Sequence, residues 1–129
     1  MKKQVAIVSK KMITGGVERA LIAMLKHIDY NQIDIDLYFE QLGGELYTEL
    51  PPQINVYQIP RIETLWDMVT HPLLTLKKII NRQRLRASAL PYIDQCHLSS
   101  TLLLPIKKKY DVAISYHAPN TIPVFYVID

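Results

Sequence analysis

Cysteine is nearly absent: Cys96 is the single one among 129 residues. One thiol makes neither an internal disulfide framework nor a cysteine-based zinc site, and it suits a reducing compartment. Glycine is scarce as well, with four, and they fall as two pairs, Gly15-Gly16 and Gly43-Gly44. A dinucleotide fingerprint needs three glycines spaced Gly-x-Gly-x-x-Gly, and Arg19 stands where the third would fall. No Gly-Lys-Ser/Thr ending follows, so a phosphate loop of the nucleoside-triphosphatase kind is excluded. Long apolar runs are missing too. Nothing approaches the ~20 residues of a membrane span, and the run after Met1-Lys2-Lys3 stops within about six residues, too short for a signal-peptide core. His71 and His97 lack a second ligand at metal spacing, so no metal is expected. His27 falls late in the first helical pattern and reads as a surface residue. No Ser-His-Asp, Cys-His or two-carboxylate arrangement can be assembled.

What is present describes one domain. A hydrophobic share of 49% with 21% charged residues is ordinary for a globular chain, and this length can bury a core. The net charge of +3 is unevenly spread. Residues 1–70 hold seven Lys/Arg against nine Asp/Glu, net −2, whereas residues 71–129 hold eight against three, net +5. Such a split predicts one basic face and acidic partners.

Val5, Ala6, Ile7 and Val8 form a short apolar run that predicts a strand buried on both faces of a parallel sheet. Lys10 to Thr14 lead to Gly15-Gly16, where a tight backbone approach is possible. Val17, Ala20, Leu21, Met24, Leu25 and Ile28 then recur in steps of three and four and predict a helix with that face inward. A glycine turn opening a helix leaves backbone N–H groups at the positive end of the helix dipole, a place for phosphate or sugar hydroxyls. Glu18 complements that dipole, whereas Arg19 opposes it. Arg19 therefore either pairs with Glu40, Asp36 or another acid, or faces a ligand anion.

Beyond Asp29-Tyr30-Asn31, the residues Ile35, Leu37 and Phe39 alternate with Asp34, Asp36 and Tyr38, the period of a half-covered strand. Gly43-Gly44 reads as a surface turn, and Glu45–Leu50 as a short helical turn. Ile54, Val56 and Ile59 suggest a third strand ended by Pro60. Trp66 with Leu65 and Met68 forms either a small apolar lid or core. Pro72 starts a helix running to about Arg86, with Leu73, Leu76, Ile79 and Ile80 inward. Five of the ten residues from Lys77 to Arg86 are basic: Lys77, Lys78, Arg82, Arg84 and Arg86. They form either a solvated face or a helix lying on an anionic membrane; the lack of interleaved aromatics argues against nucleic acid. A further helical stretch, broken near Pro105, is expected over about 90–109, with Lys107-Lys108-Lys109 at its C-terminus, where cations favour the dipole. Asp111 to Ser115 form another buried strand, followed by the loop Tyr116–Thr121, and a helix begins at Pro123. Strands alternating with helices predict an α/β fold: a Rossmann-like, open, mostly parallel sheet with helices on both faces. Ligands of such sheets bind beyond the carboxyl ends of the strands, where Gly15-Gly16 and the loop holding His117 and Asn120 both fall.

Gly15-Gly16-Val17-Glu18-Arg19-Ala20-Leu21 resembles the opening of family-four glycosyltransferases of the GT-B type. Tyr110-Asp111-Val112-Ala113-Ile114-Ser115-Tyr116 resembles a later strand of the same family, and Leu50-Pro51-Pro52 to Ile59-Pro60 resembles the segment between. The resemblance implies the N-terminal, acceptor-side half of a retaining transferase, truncated over 1–129, with the donor-binding domain absent. It implies a nucleotide-sugar as donor substrate, no cofactor, no metal, and a saccharide or lipid acceptor in surface polysaccharide or glycolipid synthesis. Gly15 and Gly16 would face the donor diphosphate and the acceptor, Glu18 and Arg19 match the motif, and His117 and Asn120 would line the acceptor side. The family's cleft histidine follows a strand this chain does not reach. These features imply a cytoplasmic protein, peripheral at the inner membrane face, inactive alone. The competing readings are a non-catalytic α/β binding module and a nucleotide-dependent oxidoreductase domain.

Overall fold

The computed structural model describes residues 1–60, 65–87, 100, 103–116 and 127. Four strands, β1 (Lys3–Ser9), β2 (Ile33–Phe39), β3 (Asn55–Gln58) and β4 (Val112–Ser115), form one sheet in the order β3-β2-β1-β4. Each of the three ladders between these strands is parallel. Val5 lies beside Ile35 on one side and Val112 on the other, and Leu37 beside Val56. Parallel neighbours require crossovers, and the first is helix α1 (Gly16–Lys26). The fold is α/β and Rossmann-like, as the alternation of elements predicts.

The two faces of the sheet are built differently. On one, α1 lays Leu21, Ile22 and Leu25 against Ile7, Ile35, Leu37 and Phe39, joined by Met12, Leu46 and Ile54. Each fully buried aliphatic or aromatic side chain here is worth ~1.5–3 kcal/mol relative to solvent. The buried face of α1 is rotated from the expected one. Val17 and Ala20 are exposed, whereas Ile22 and even Glu18 are buried. A stripe of three-and-four steps fixes a helix, but its edges depend on how the helix rolls onto the sheet.

On the other face Ala6, Val8, Tyr38 and Ile59 pack with Leu103, Ile106, Tyr110 and Val127. β2 is therefore covered on both sides, contrary to the half-covered strand its alternation suggests, and Asp36 is only 1% exposed. The covering segment, residues 103–110, is not helical, so Lys107-Lys108-Lys109 do not end a helix. Of the rest of that expected helix, Ser100 is helical, whereas 90–99 and 101–102 lie outside the described residues, as does most of 117–129. Backbone bonds lash the segment down, with Leu104 N–H donating to Pro60 C=O at 2.9 Å and Asp111 N–H to Gln4 C=O at 2.9 Å. Among the described strands β4 stands at the edge of the sheet, and Val112 and Ile114 are exposed rather than buried.

α2 (Leu65–Thr70) and α3 (Pro72–Ala87) follow β3, the second beginning at Pro72 as its missing N–H and fixed φ favour. Their orientation reverses the expectation. Leu73 is 82% exposed, and Leu76, Ile79 and Ile80 are exposed as well. Asn81 is buried and Leu74, Thr75 and Lys78 are half-buried. Trp66, 79% exposed, is not core. Among the described residues no helix is long and apolar enough to cross a membrane.

Of the two glycine pairs, the second is the one that geometry demands. Gly44 sits at φ +113°, and a Cβ there would land on the carbonyl of Met12. The loop 41–46 is thus no plain surface turn. It docks on the loop after β1, with Leu46 N–H bonded to Met12 C=O at 3.1 Å and Thr14 Oγ1 bonded to Glu45. A Cβ on Gly16 would meet nothing. Gly44→Ala should therefore cost roughly 2–4 kcal/mol, combining positive φ with a backbone clash. Gly16→Ala should be neutral or stabilising by up to about 1 kcal/mol. Urea unfolding of the two variants measures the difference.

Candidate functional site

The strand order places a reversal at β1. The chain moves from β1 to β2 to β3 on one side, then returns to lay β4 on the other. Such a reversal opens a crevice at the carboxyl ends of the two diverging strands. That edge is tightly knitted. Tyr116 N–H donates to Val8 C=O at 2.8 Å, Ser9 Oγ to Tyr116 C=O at 3.2 Å, and Glu40 N–H to Ser9 C=O at 3.1 Å.

The Gly15-Gly16 turn stands at this crevice, one loop beyond Ser9. Gly15 caps α1 with extended backbone (φ −163°, ψ 165°) and no side-chain cap, and the first helical bond runs from Arg19 N–H to Gly15 C=O at 3.1 Å. Gly16 is exposed. Glu18 is 5% exposed and folds back so that its carboxylate lies over Gly15, where a Cβ would otherwise sit. An acid placed there satisfies the positive end of the dipole by ~0.3–1 kcal/mol. Arg19 is exposed and makes no ion pair with Asp36 or Glu40 among the described residues, which leaves its guanidinium for solvent or a ligand. Tyr116 packs on the α1 side of the sheet. His117 and Asn120 lie outside the described residues; among the described ones, Tyr116 joins the loop after β4 to Val8 and Ser9.

A second constellation, on the opposite face, has no counterpart in the sequence reading. Asp36 is opposite Asn55 in the β2–β3 ladder and beside Ala6 in β1. Its Oδ1 accepts from Asn55 Nδ2 at 2.9 Å, and its Oδ2 accepts from Lys108 Nζ at 2.5 Å and Tyr110 Oη at 2.6 Å. Tyr110 also shares a 2.6 Å hydroxyl bond with Tyr38, which stacks on Tyr57 across the ladder at 5.3 Å. Lys108 Nζ stands 5.2 Å from the Tyr110 ring centre, a cation–π distance. Ala6 is small enough for the lysine and tyrosine to pass over. Burial pushes the Asp36 carboxyl upward, but bonds from Lys108, Tyr110 and Asn55 outweigh it and hold it below the usual carboxylate range. The bond to Asp36 raises Lys108, and burial with the same carboxylate pushes Tyr110 far above an ordinary phenol.

Next to this network is a cavity of about 460 Å³, walled by Tyr38 and Pro60 from the sheet, His71 and Leu74 from the α2–α3 corner, and residues 104–108. Its walls are mostly carbon, since the Tyr38 hydroxyl and the Lys108 ammonium are already engaged.

Among the described residues no group of three or more His, Cys, Asp or Glu is placed to hold a metal ion. The network escaped the sequence reading because Asp36 alternates with apolar residues just as a solvent-facing acid would. The one available signal was a run of cations, Lys107 to Lys109, which an assumed helix terminus accounted for. No family model, curated protein or solved structure matches the chain.

Asp36 and Lys108 should be strongly coupled. Lys108→Met leaves a buried carboxylate with two neutral donors and should cost about 1–3 kcal/mol. Asp36→Asn should cost a similar amount, and a double-mutant cycle should return about 0.5–3 kcal/mol of coupling. The lowered Asp36 pKa stabilises the fold above the ordinary carboxylate range, and this contribution is lost as pH falls through the lowered value. The raised Lys108 and Tyr110 contribute below their ordinary ranges, and that part is lost as pH rises through the raised values. Urea midpoints measured across pH should lose both flanks in the double variant.

Proposed function

We infer that this chain is the acceptor-side half of a two-domain glycosyltransferase that moves a sugar from a nucleotide-sugar to a saccharide or lipid. The observation that carries the reading is the Gly15-Gly16 turn, which opens α1 at the carboxyl edge beside the reversal between β1 and β4. Backbone N–H groups at that turn suit a diphosphate, and in the assembled enzyme they would stabilise the leaving group as charge develops. Exposed Arg19 supports the same use of the turn. Glu18 lies over Gly15 and complements the dipole of that helix end. In this reading a second domain of the enzyme holds the nucleotide while the Gly15-Gly16 turn meets the diphosphate, so these residues alone should bind a sugar nucleotide weakly and transfer no sugar.

The partner reading concerns α3. Leu73, Leu76, Ile79 and Ile80 are exposed together with Lys77, Arg82 and Arg84, while Asn81 is turned inward. The side chain of Arg86 lies outside the described residues. An amphipathic helix with its apolar side outward and cations beside it suits an anionic bilayer surface, at ~1 kcal/mol per basic residue near the headgroups. A cytoplasmic position at the inner membrane face follows from that reading.

Titrating UDP-glucose and NAD separately, with amide shifts of Gly15 to Arg19 as the readout, tests the site. Preferential binding of the sugar nucleotide supports the transferase, and Arg19→Ala should then weaken it about three- to tenfold. Preference for NAD would point to an oxidoreductase, and silence from both to a plain binding module. Co-sedimentation with phosphatidylglycerol vesicles tests the surface. Binding should fall with added salt and should be lost in Leu73→Glu; equal binding to phosphatidylcholine would remove the charge argument.

A further inference from the structure

We propose that the cavity between the α2–α3 corner and residues 104–108 binds a single-chain amphiphile with an anionic head, taken up as a monomer. The proposal is independent of the transferase reading, because the cavity lies on the sheet face away from α1 and uses none of the Gly15-Gly16 turn.

Three observations combine. The volume, about 460 Å³, falls in the ~300–1,000 Å³ range of small-molecule sites. The walls are apolar, with Pro60, Leu74, Leu104 and Ile106 contributing carbon. The polar groups within reach are mostly spoken for, since Tyr38 is bonded to Tyr110 and Lys108 to Asp36. A ligand rich in hydroxyls or amides would leave its own groups unsatisfied there, whereas a hydrocarbon chain loses nothing.

The charge at the mouth decides the head. Lys107 is exposed and makes no ion pair with an acid among the described residues, and the neutralised Lys108 beside it brings no net charge of its own. His71, whose backbone carbonyl is bonded by Thr75, adds an imidazole at the same wall. Among the described residues lining the cavity, a carboxylate or phosphate monoester would meet one cation free of an ion pair, Lys107, and no acid. The chain would lie against Leu74 and Ile106, and the head would stay at the wet rim near Lys107, which avoids burying an ion.

Leu73 and Leu74 make the idea separable from membrane attachment. They are adjacent in α3, yet Leu73 is exposed and Leu74 faces the cavity. Calorimetric titration with decyl phosphate below its micelle threshold should show saturable binding, with inorganic phosphate silent and decanol about tenfold weaker. Lys107→Glu should weaken decyl phosphate about tenfold and leave decanol unchanged. Leu74→Trp should abolish both by filling the space, whereas Leu73→Glu should change neither. Circular dichroism checks that each variant is folded. Should Leu74→Trp fail to fold, perturbation of the Leu74, Leu104 and Ile106 methyl signals in the native chain takes its place. Absent binding, binding that survives in folded Leu74→Trp, loss in Leu73→Glu, or methyl signals that stay still would each overturn the proposal. So would phosphatidylglycerol vesicles binding where monomeric decyl phosphate does not.

Discussion

A carboxylate on the middle of a buried strand has to be answered, and the way Asp36 is answered organises half of this molecule. Left alone at 1% exposure it would cost several kcal/mol or stay protonated. Here three donors reach it, Asn55 from the neighbouring strand and Lys108 and Tyr110 from a segment more than seventy residues away. The ion pair is not where net stability is gained, because desolvation offsets much of the attraction. What it supplies is position. Apart from an isolated bridge at Leu103, residues 103–111 have no helix or ladder before β4, and the bond to Asp36, with Leu104 to Pro60 and Asp111 to Gln4, sets where they cross the sheet.

That placement has two consequences. It converts the second face of the sheet from a solvent surface into a second core, with Tyr38, Ile59, Leu103 and Ile106 sharing burial. It also leaves a gap where the segment passes the α2–α3 corner, which is the 460 Å³ cavity. The opposite face follows ordinary helix-on-sheet packing. Its carboxyl edge is stiffened by a brace between the loops after β1 and β2, built on Gly44, Leu46 and the buried Met12.

The α3 helix carries a further constraint. Apolar residues in three-and-four steps ordinarily mark the side that packs inward, and α1 keeps to that rule at Leu21 and Leu25. α3 does the reverse, with Leu73, Leu76 and Ile79 outward and Asn81 inward. The periodicity was legible; the direction was not, because the pattern contains no information about which surface, core or external, the stripe is made for.

Local chemistry carried the architecture. A short apolar run, a glycine turn, a three-and-four stripe and Pro72 each act within a few residues, and they were enough to place β1, α1, β2, β3, the start of α3 and β4, and hence an α/β sheet with parallel strands. Gly15-Gly16 at the carboxyl edge was likewise readable, because the end of a parallel strand is determined by chain direction alone. What only the tertiary structure decided was every relation between residues distant in sequence: the burial of Asp36, its capture by Lys108, the clash that makes Gly44 rather than Gly16 indispensable, and the outward turn of α3. Those depend on which faces meet once the chain closes on itself. A pattern of period two or 3.6 names a face without saying what lies opposite it.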